Sequence, residues 1–481
     1  MRALLVVSLS LLGCSPAPLR LAVDVSGAPR ALEDFPRIAC GAVDAAPEDP
    51  VRPQTPQTPE VKAAVEATRL PLEDALLARD EAGLSAAVCQ LRSSLGRWRG
   101  VPEAIATYTP AAPAALSTDE AVSVLERALL SQVGREVWHS QPSTSGVDVH
   151  RPLRDVCELV RTEALGIALV PARRAEIEPS LRVGLAWLLA VQRVDGLFPF
   201  PDLEDEFEAD RAACERTSGA ERSECERALA GNPARLVKGI KQSIVDRGAS
   251  LDDFFRDGWF IRDPLPRGND GGLQFDNGVC GEALLIAGLV LDDPALLAAS
   301  RRAAAWARAQ ALAPNWNYNA FSVRLMAWQA LVDGDVALGE AALDKAWWGI
   351  LPGQLANGRW VDGHNARVVY HVILMASLAP LVPHAVARKT AISSALEASL
   401  ASYADELAAA KGTAGDDRGI RALVETAATR PLTDGERAAL DVLRRNAIST
   451  SGPRVSSAVD LLLAERGAHP LVNRLSWALG R

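Results

Sequence analysis

Residues 293–381 constrain the fold most, because helix-forming stretches there alternate with short polar, aromatic-rich turns. Asp293 suits a helix N-cap, and Pro294 fits the first helical turn, where a missing N–H does no harm. The pattern predicts a helix to residue 311, with Ala299, Ala303, Trp306 and Gln310 on one stripe. The run Asn315-Trp316-Asn317-Tyr318-Asn319 reads as a polar turn. A second helix carries Phe321, Arg324, Leu325 and Trp328 and stops at Asp333-Gly334. A third covers 336–348, and a long connection over 350–363 contains Pro352, Gly353, Gly358 and Trp360. A fourth holds His364, Arg367, Tyr370 and His371, then turns wholly apolar. Helical hairpins of this kind keep their packing on the helices and leave chemistry to the turns.

The rest of the chain carries the same signature. Helical stretches are expected near 61–99, 121–137 and 156–169, with Thr118 as the N-cap of the second, and a helix–turn over 177–200. Others follow at 384–411, 420–429, 434–445, 455–466 and 471–479. β-Branched alternation never lasts more than a few residues, so strands are nearly absent. The expected fold is all-α, an α/α toroid of helical hairpins around one concave face, with additional N- and C-terminal helices. Its divisions are a leader over 1–13, a Pro-rich tether over 14–60, an N-terminal helical region over 61–149, a toroid core over 150–383 and a C-terminal helical region over 384–481.

Charge and cysteines narrow the function classes. A net charge of −9 with scattered Lys and Arg excludes the basic face that nucleic acid needs. Arg2 followed by an apolar run over 3–12 is a targeting segment. It ends in Leu11-Leu12-Gly13-Cys14, which resembles the lipobox of bacterial lipoprotein signal peptides. The resemblance implies cleavage before Cys14 and its lipidation. The chain is then anchored in the cell envelope, in the outer membrane facing the periplasm or the exterior. No run of 18 apolar residues is apparent, so no membrane-spanning helix is expected. The six remaining cysteines invite disulfides, and Cys214 with Cys225 form the local pair within a charged insertion over 202–227. There is no CxxC and no HExxH, so neither a metal site nor a cofactor is expected.

Two further resemblances bear on function. Gln192, Asp195-Gly196 and Phe198, after Arg182 and Trp187, resemble the Gln/Trp repeat of terpenoid cyclases, with Phe in the Trp position. The same pattern serves widely at helix ends of α/α toroids, and the structural role is the expectation here. No Asp-rich isoprenoid motif accompanies it. Residues 351–381, with Leu351-Pro352, Arg367 and the Tyr370-His371 pair, resemble alginate lyases of the α/α-toroid type. Asn315-Trp316-Asn317 stands where that family carries Asn-Asn-His.

The resemblance implies β-elimination on a uronate polysaccharide. Asn317, Asn319, Arg367 and His364 would neutralise the carboxylate and stabilise the enolate-like charge. Tyr370, with His371 beside it, would move the proton. A free tyrosine, with a pKa near 10, needs a neighbouring cation to serve as base. Trp316, Tyr318, Arg324 and Trp360 would bind the substrate. The rival expectation is a non-catalytic glycan-binding or scaffold lipoprotein on the same fold. An open cleft with Tyr370 facing an Asn would favour the lyase. Burial and mutual satisfaction of these groups would favour the rival.

Overall fold

The computed structural model describes residues 38–41, 43, 59–95, 117–132, 140–142, 148–150, 153–198, 212, 214–230, 272–360, 368–385, 389–409, 417–449 and 455–480. Sixteen α-helices account for most of these. They are α1 (Pro59–Ala78), α2 (Glu81–Leu95), α3 (Thr118–Gln132), α4 (Leu153–Leu169), α5 (Arg174–Val191), α6 (Gly219–Ala230), α7 (Gly272–Leu291) and α8 (Pro294–Ala309). Then come α9 (Trp316–Asp333), α10 (Val336–Gly349), α11 (Val368–Leu378), α12 (Lys389–Ala409), α13 (Asp417–Thr429), α14 (Asp434–Ser449), α15 (Val455–Glu465) and α16 (Pro470–Ala478). One short antiparallel pair, β1 (Ser140–Pro142) with β2 (Asp148–His150), sets Ser140 opposite His150. The fold is all-α, as expected.

Local chemistry sets the helix limits. The Asp293 carboxylate accepts from the Ala295 N–H at 3.0 Å ahead of Pro294, which starts α8. Asp335 accepts from the Leu338 N–H at 3.0 Å, just after Gly334 ends α9 at φ 69°. Two expected starts need correction. Ser117, not Thr118, caps α3: its hydroxyl accepts from the Glu120 N–H while Glu120 accepts from the Ser117 N–H, a reciprocal capping box. The 315–319 run is not a turn. Asn315 accepts from the Asn317 N–H at 3.1 Å, and α9 begins at Trp316.

From α7 onward every second helix packs on the next, and α4 closes the series. α4 contacts α7, α7 contacts α9, α9 contacts α11, α11 contacts α13, α13 contacts α15, and α15 contacts α4 again. These six are the buried ones. α9 is enclosed from Trp316 to Ala330, and α7 is apolar over most of its circumference. Over Gln274–Leu291 α7 is long and apolar enough to cross a membrane, contrary to expectation, but 89% of that stretch is buried among its neighbours, as a core helix is. The intervening helices lie outside. α5 packs on α4, α8 on α7 and α9, α10 on α9, α12 on α11, and α14 on α12, α13 and α15. α16 touches α7, α9 and α13. Helices on both sides of residue 383 therefore share one set of contacts.

Short links join α7 to α8 through 292–293, α9 to α10 through 334–335 and α15 to α16 through 466–469. Successive contacts give the direction of four buried helices. Cys157 meets Cys280 and Arg161 meets Glu282, Gly278 meets Phe321 and Gly281 meets Leu325, and Phe321 meets Arg418 while Arg324 meets Glu425, so α4, α7, α9 and α13 run the same way.

One turn occurs twice. The Gln192 amide donates to the Gly196 and Ala299 carbonyls, and the Gln354 amide donates to those of Gly358 and Ala395. Asp195 and Asn357 each accept from the N–H two residues on. Both glycines have positive φ, 97° and 83°, and a Cβ on either would strike a backbone carbonyl of a neighbouring helix. The turn at 192–198 is structural, as expected, and its copy at 354–360 also pins an outer helix.

Three disulfides are present. Cys214–Cys225 joins residues 11 apart, as expected. Cys157–Cys280 ties α4 to α7, and Cys40–Cys89 ties the segment before α1 to α2. Cys14 and most of the tether lie outside the described residues; of the 14–60 stretch, residues 38–41 are fastened to α2 by Cys40–Cys89 and by Arg92 donating to the Ile38 carbonyl, and Pro59 already opens α1.

Candidate functional site

Arg324, expected to bind substrate, is the centre of a closed charge network. It is 3% exposed and lies between Glu282 of α7 and Glu425 of α13. Its Nε and Nη2 donate to Glu282 at 2.6 and 2.9 Å, and Nη1 and Nη2 donate to Glu425 at 2.7 and 2.6 Å. Nη1 also donates to the Ala376 carbonyl of α11 at 2.7 Å. Three buried helices are thus tied to α9 through one guanidinium. No donor is left for a ligand.

The network continues around the assembly. Arg161 of α4 donates to Asp460 of α15 at 2.6 Å, and Arg421 of α13 donates to Asp460 at 3.0 Å and to Glu158 of α4 at 2.9 Å. His469, at the cap of α16, lies 3.5 Å from Asp460. Burial alone would raise the Glu158 carboxyl, but Arg421, Arg418 and Arg161 bring it down to about 2. Burial likewise opposes ionisation of Asp460, which Arg161 and Arg421 outweigh, holding it well below the usual carboxylate range. Glu282 is lowered by Arg324 and Arg161 against the same burial. Glu425 goes the other way: burial and the Glu282 charge raise it despite Arg324. Burial would lower Arg324 and Arg421, yet their carboxylate partners raise both above the ordinary arginine value.

Sequence reasoning missed Glu158, Arg161, Arg421, Glu425 and Asp460. The available signal was charge at helical spacing inside apolar helices, Glu158 with Arg161 and Arg421 with Glu425.

The other candidates are mostly enclosed too. Asn319, 0% exposed, accepts from the Ala313 N–H at 2.9 Å and donates to the carbonyls of Ala313 and Gly349 at 2.8 and 2.9 Å. Its amide serves backbone that would otherwise lack partners. Asn317 is 0% exposed, one residue from the buried Trp316. The Trp360 indole donates to the Ile350 carbonyl at 2.9 Å, closing the second Gln turn. Tyr318 sits edge-on to Phe275, 6.4 Å between centroids. His371 is buried, and its Nε2 must carry the proton, because its partner at 3.1 Å is the Ser399 carbonyl. Burial, together with the Arg359 charge, lowers His371 well below its ordinary value, so the imidazole is neutral.

Tyr370 is on the first turn of α11, which begins at Val368, and its side chain lies outside what is described. His364 and Arg367 lie outside the described residues, and the face expected of them with His371 lies there too. No described candidate faces open solvent across a cleft.

No protein-family model, curated protein or solved structure matches the chain.

Chemical groups remain at the N-terminal ends of the buried helices. Arg418, on the first turn of α13, holds its guanidinium 5.5 Å over the Phe321 ring of α9. Phe275 of α7 packs against the same ring at 4.1 Å. Arg418 is 3.7 Å from Glu158, and these two side chains keep 17% and 25% of their surface exposed, where the rest of the network is closed. Among the described residues no group of three His, Cys, Asp or Glu is placed to hold a metal ion.

Proposed function

We propose that the chain is an exported lipoprotein whose six buried helices form an α/α toroid, and that it binds acidic glycan near the start of α13, where Arg418 lies. The cyclic order of helix contacts supports the toroid reading. One observation carries the functional reading. Asn319, Arg324, Trp360 and His371 are each at most 5% exposed and are engaged with neighbouring helices or turns. Elimination needs neutralising and proton-moving groups that reach the substrate. These groups instead hold the frame. Binding falls to Arg418 on its aromatic floor and to Arg367 in the connection that leads into α11. A sugar carboxylate suits these cations. Cys14 would hold the protein at the membrane through its lipid, and fatty-acid labelling lost in Cys14→Ser tests that anchor.

Titration calorimetry with alginate and other polyuronates tests the binding. Saturable binding that weakens with salt and drops in Arg418→Ala and Arg367→Ala is expected. Equal affinity for neutral glucans, or none for any polyuronate, would overturn it.

The lyase is the second reading, and it rests on the sequence pattern of Arg367, Tyr370 and His371. His371 is held neutral directly after Tyr370, so the cation that a tyrosine base needs would have to be Arg367. On that reading Tyr370 takes the proton and Arg367 with His364 neutralises the carboxylate. Turnover that disappears in Tyr370→Phe, with unchanged polyuronate affinity, would install it.

A further inference from the structure

A cavity lies on the other side of α9 from the charge network. It encloses about 320 Å³ between α1, the end of α8, α9 and α10, within the range of small-molecule sites. Leu76, Leu312 and Met326 supply apolar wall. Three cations, Arg79, Arg308 and Lys345, line it against one carboxylate, Asp344. Asp344 is taken: Arg79 pairs with it at 2.9 Å and also lies 5.3 Å over the Trp348 ring. Lys345 is 5% exposed and donates to the Gln274 side chain and to the carbonyls of Ala307 and Gln310, all neutral acceptors. Among the described residues neither Lys345 nor Arg308 has an ion-pair partner, so the cavity holds more positive than negative charge in a chain of net charge −9.

We propose that this cavity binds a small aliphatic carboxylate, its head group on the Arg308 fork beside Lys345 and its chain along Leu76, Leu312 and Met326. The guanidinium offers a bidentate match to a carboxylate, which a neutral head group cannot use. The apolar wall favours a ligand with a hydrocarbon tail over a bare anion. Lys345 adds a signature. Burial, with Arg79 nearby, lowers its ammonium to about 7, and a bound anion restores the proton. The charged groups facing it are Arg79 directly after α1, Arg308 from α8 and Asp344 on its own helix. Binding is therefore accompanied by proton uptake near and above pH 7.

Titration calorimetry of the full chain with hexanoate, in two buffers of different ionisation enthalpy at pH 7.5, reads both effects. Hexanoate should bind and take up protons, with affinity falling by about tenfold or more in Arg308→Ala. Lys345→Met should abolish the uptake. That variant also loses a cap on α8, so the exposed Arg308→Ala change keeps the test sound if Lys345→Met misfolds. Hexanol and inorganic phosphate are the controls. The proposal is overturned if hexanoate shows no saturable binding below about 10 mM, if Arg308→Ala binds it as well as the parent, or if hexanol or phosphate binds as tightly.

Discussion

Replacing Arg324 by Met separates a framework residue from a substrate-binding one. Methionine fills much of the space but removes five hydrogen bonds, four of them to carboxylates. It strands Glu282 and Glu425, whose side chains are 3% and 2% exposed. Breaking a buried pair by removing one partner costs about 3–5 kcal/mol, and two carboxylates are left here, so the loss at pH 7.5 belongs at the upper end. The stranded carboxyls escape part of the penalty by taking protons, which raises their folded-state pKa values. A group raised in the folded state contributes stability below its unfolded value and loses it as pH rises. The variant should thus be closest to the parent near pH 5 and fall furthest behind near pH 8. Urea unfolding followed by circular dichroism at both pH values checks this. Adding Glu282→Gln and Glu425→Gln to Arg324→Met should recover much of the loss, because no buried charge is then unpaired. A single variant within about 1 kcal/mol of the parent at pH 7.5, with no pH trend, would refute the framework role. Lost polyuronate binding with unchanged stability would return Arg324 to the site.

Three other outcomes follow from the same geometry. Glu158, Asp460 and Glu282 are depressed in the folded state, so their contribution is present above the unfolded carboxylate value and is lost as pH falls through the folded values; for Glu158 that window runs from 4.5 down to about 2. Thermal melts should therefore drop steeply below pH 4.5, more so than in Arg421→Met, which has already lost part of the pairing. Gly358→Ala should cost about 1–3 kcal/mol from its positive φ alone, with more from the Ala398 carbonyl 2.0 Å from the added Cβ, seen as a lowered melting temperature. Asn319→Ala leaves the Ala313 and Gly349 backbone groups without its amide and should cost about 1–3 kcal/mol for each group left buried and unsatisfied, whereas a purely catalytic asparagine would leave the melt unchanged.

What was legible in the sequence was local. The helix start at Asp293-Pro294 rests on a side chain that caps its own neighbour and the stop at Asp333-Gly334 on a glycine that takes positive φ, both local, so composition reveals them. The 315–319 run misled because three asparagines resemble a turn, while burial against Gly349 and α7 makes them the first turn of a core helix. Arg324 misled for a related reason. An arginine in an apolar helix must have a partner, but Glu425 stands 101 residues away and nothing local points to it. Cys157 and Cys280 are 123 residues apart, and their pairing is just as silent, whereas Cys214 and Cys225 share one insertion. The second Gln turn was open to view. Gln354, Asn357, Gly358 and Trp360 repeat the spacing of Gln192, Asp195, Gly196 and Phe198, and comparing the two segments would have found it.

Ultraviolet absorbance of polyuronates incubated with the purified protein tests the central claim most directly. If the enclosed asparagines, Arg324 and His371 build the frame and the Arg418 region only binds, absorbance stays flat for alginate and every other polyuronate while calorimetry shows saturable binding. Growing absorbance from an unsaturated uronate end, abolished in Tyr370→Phe, would contradict the binding account and make the first turn of α11 an active site.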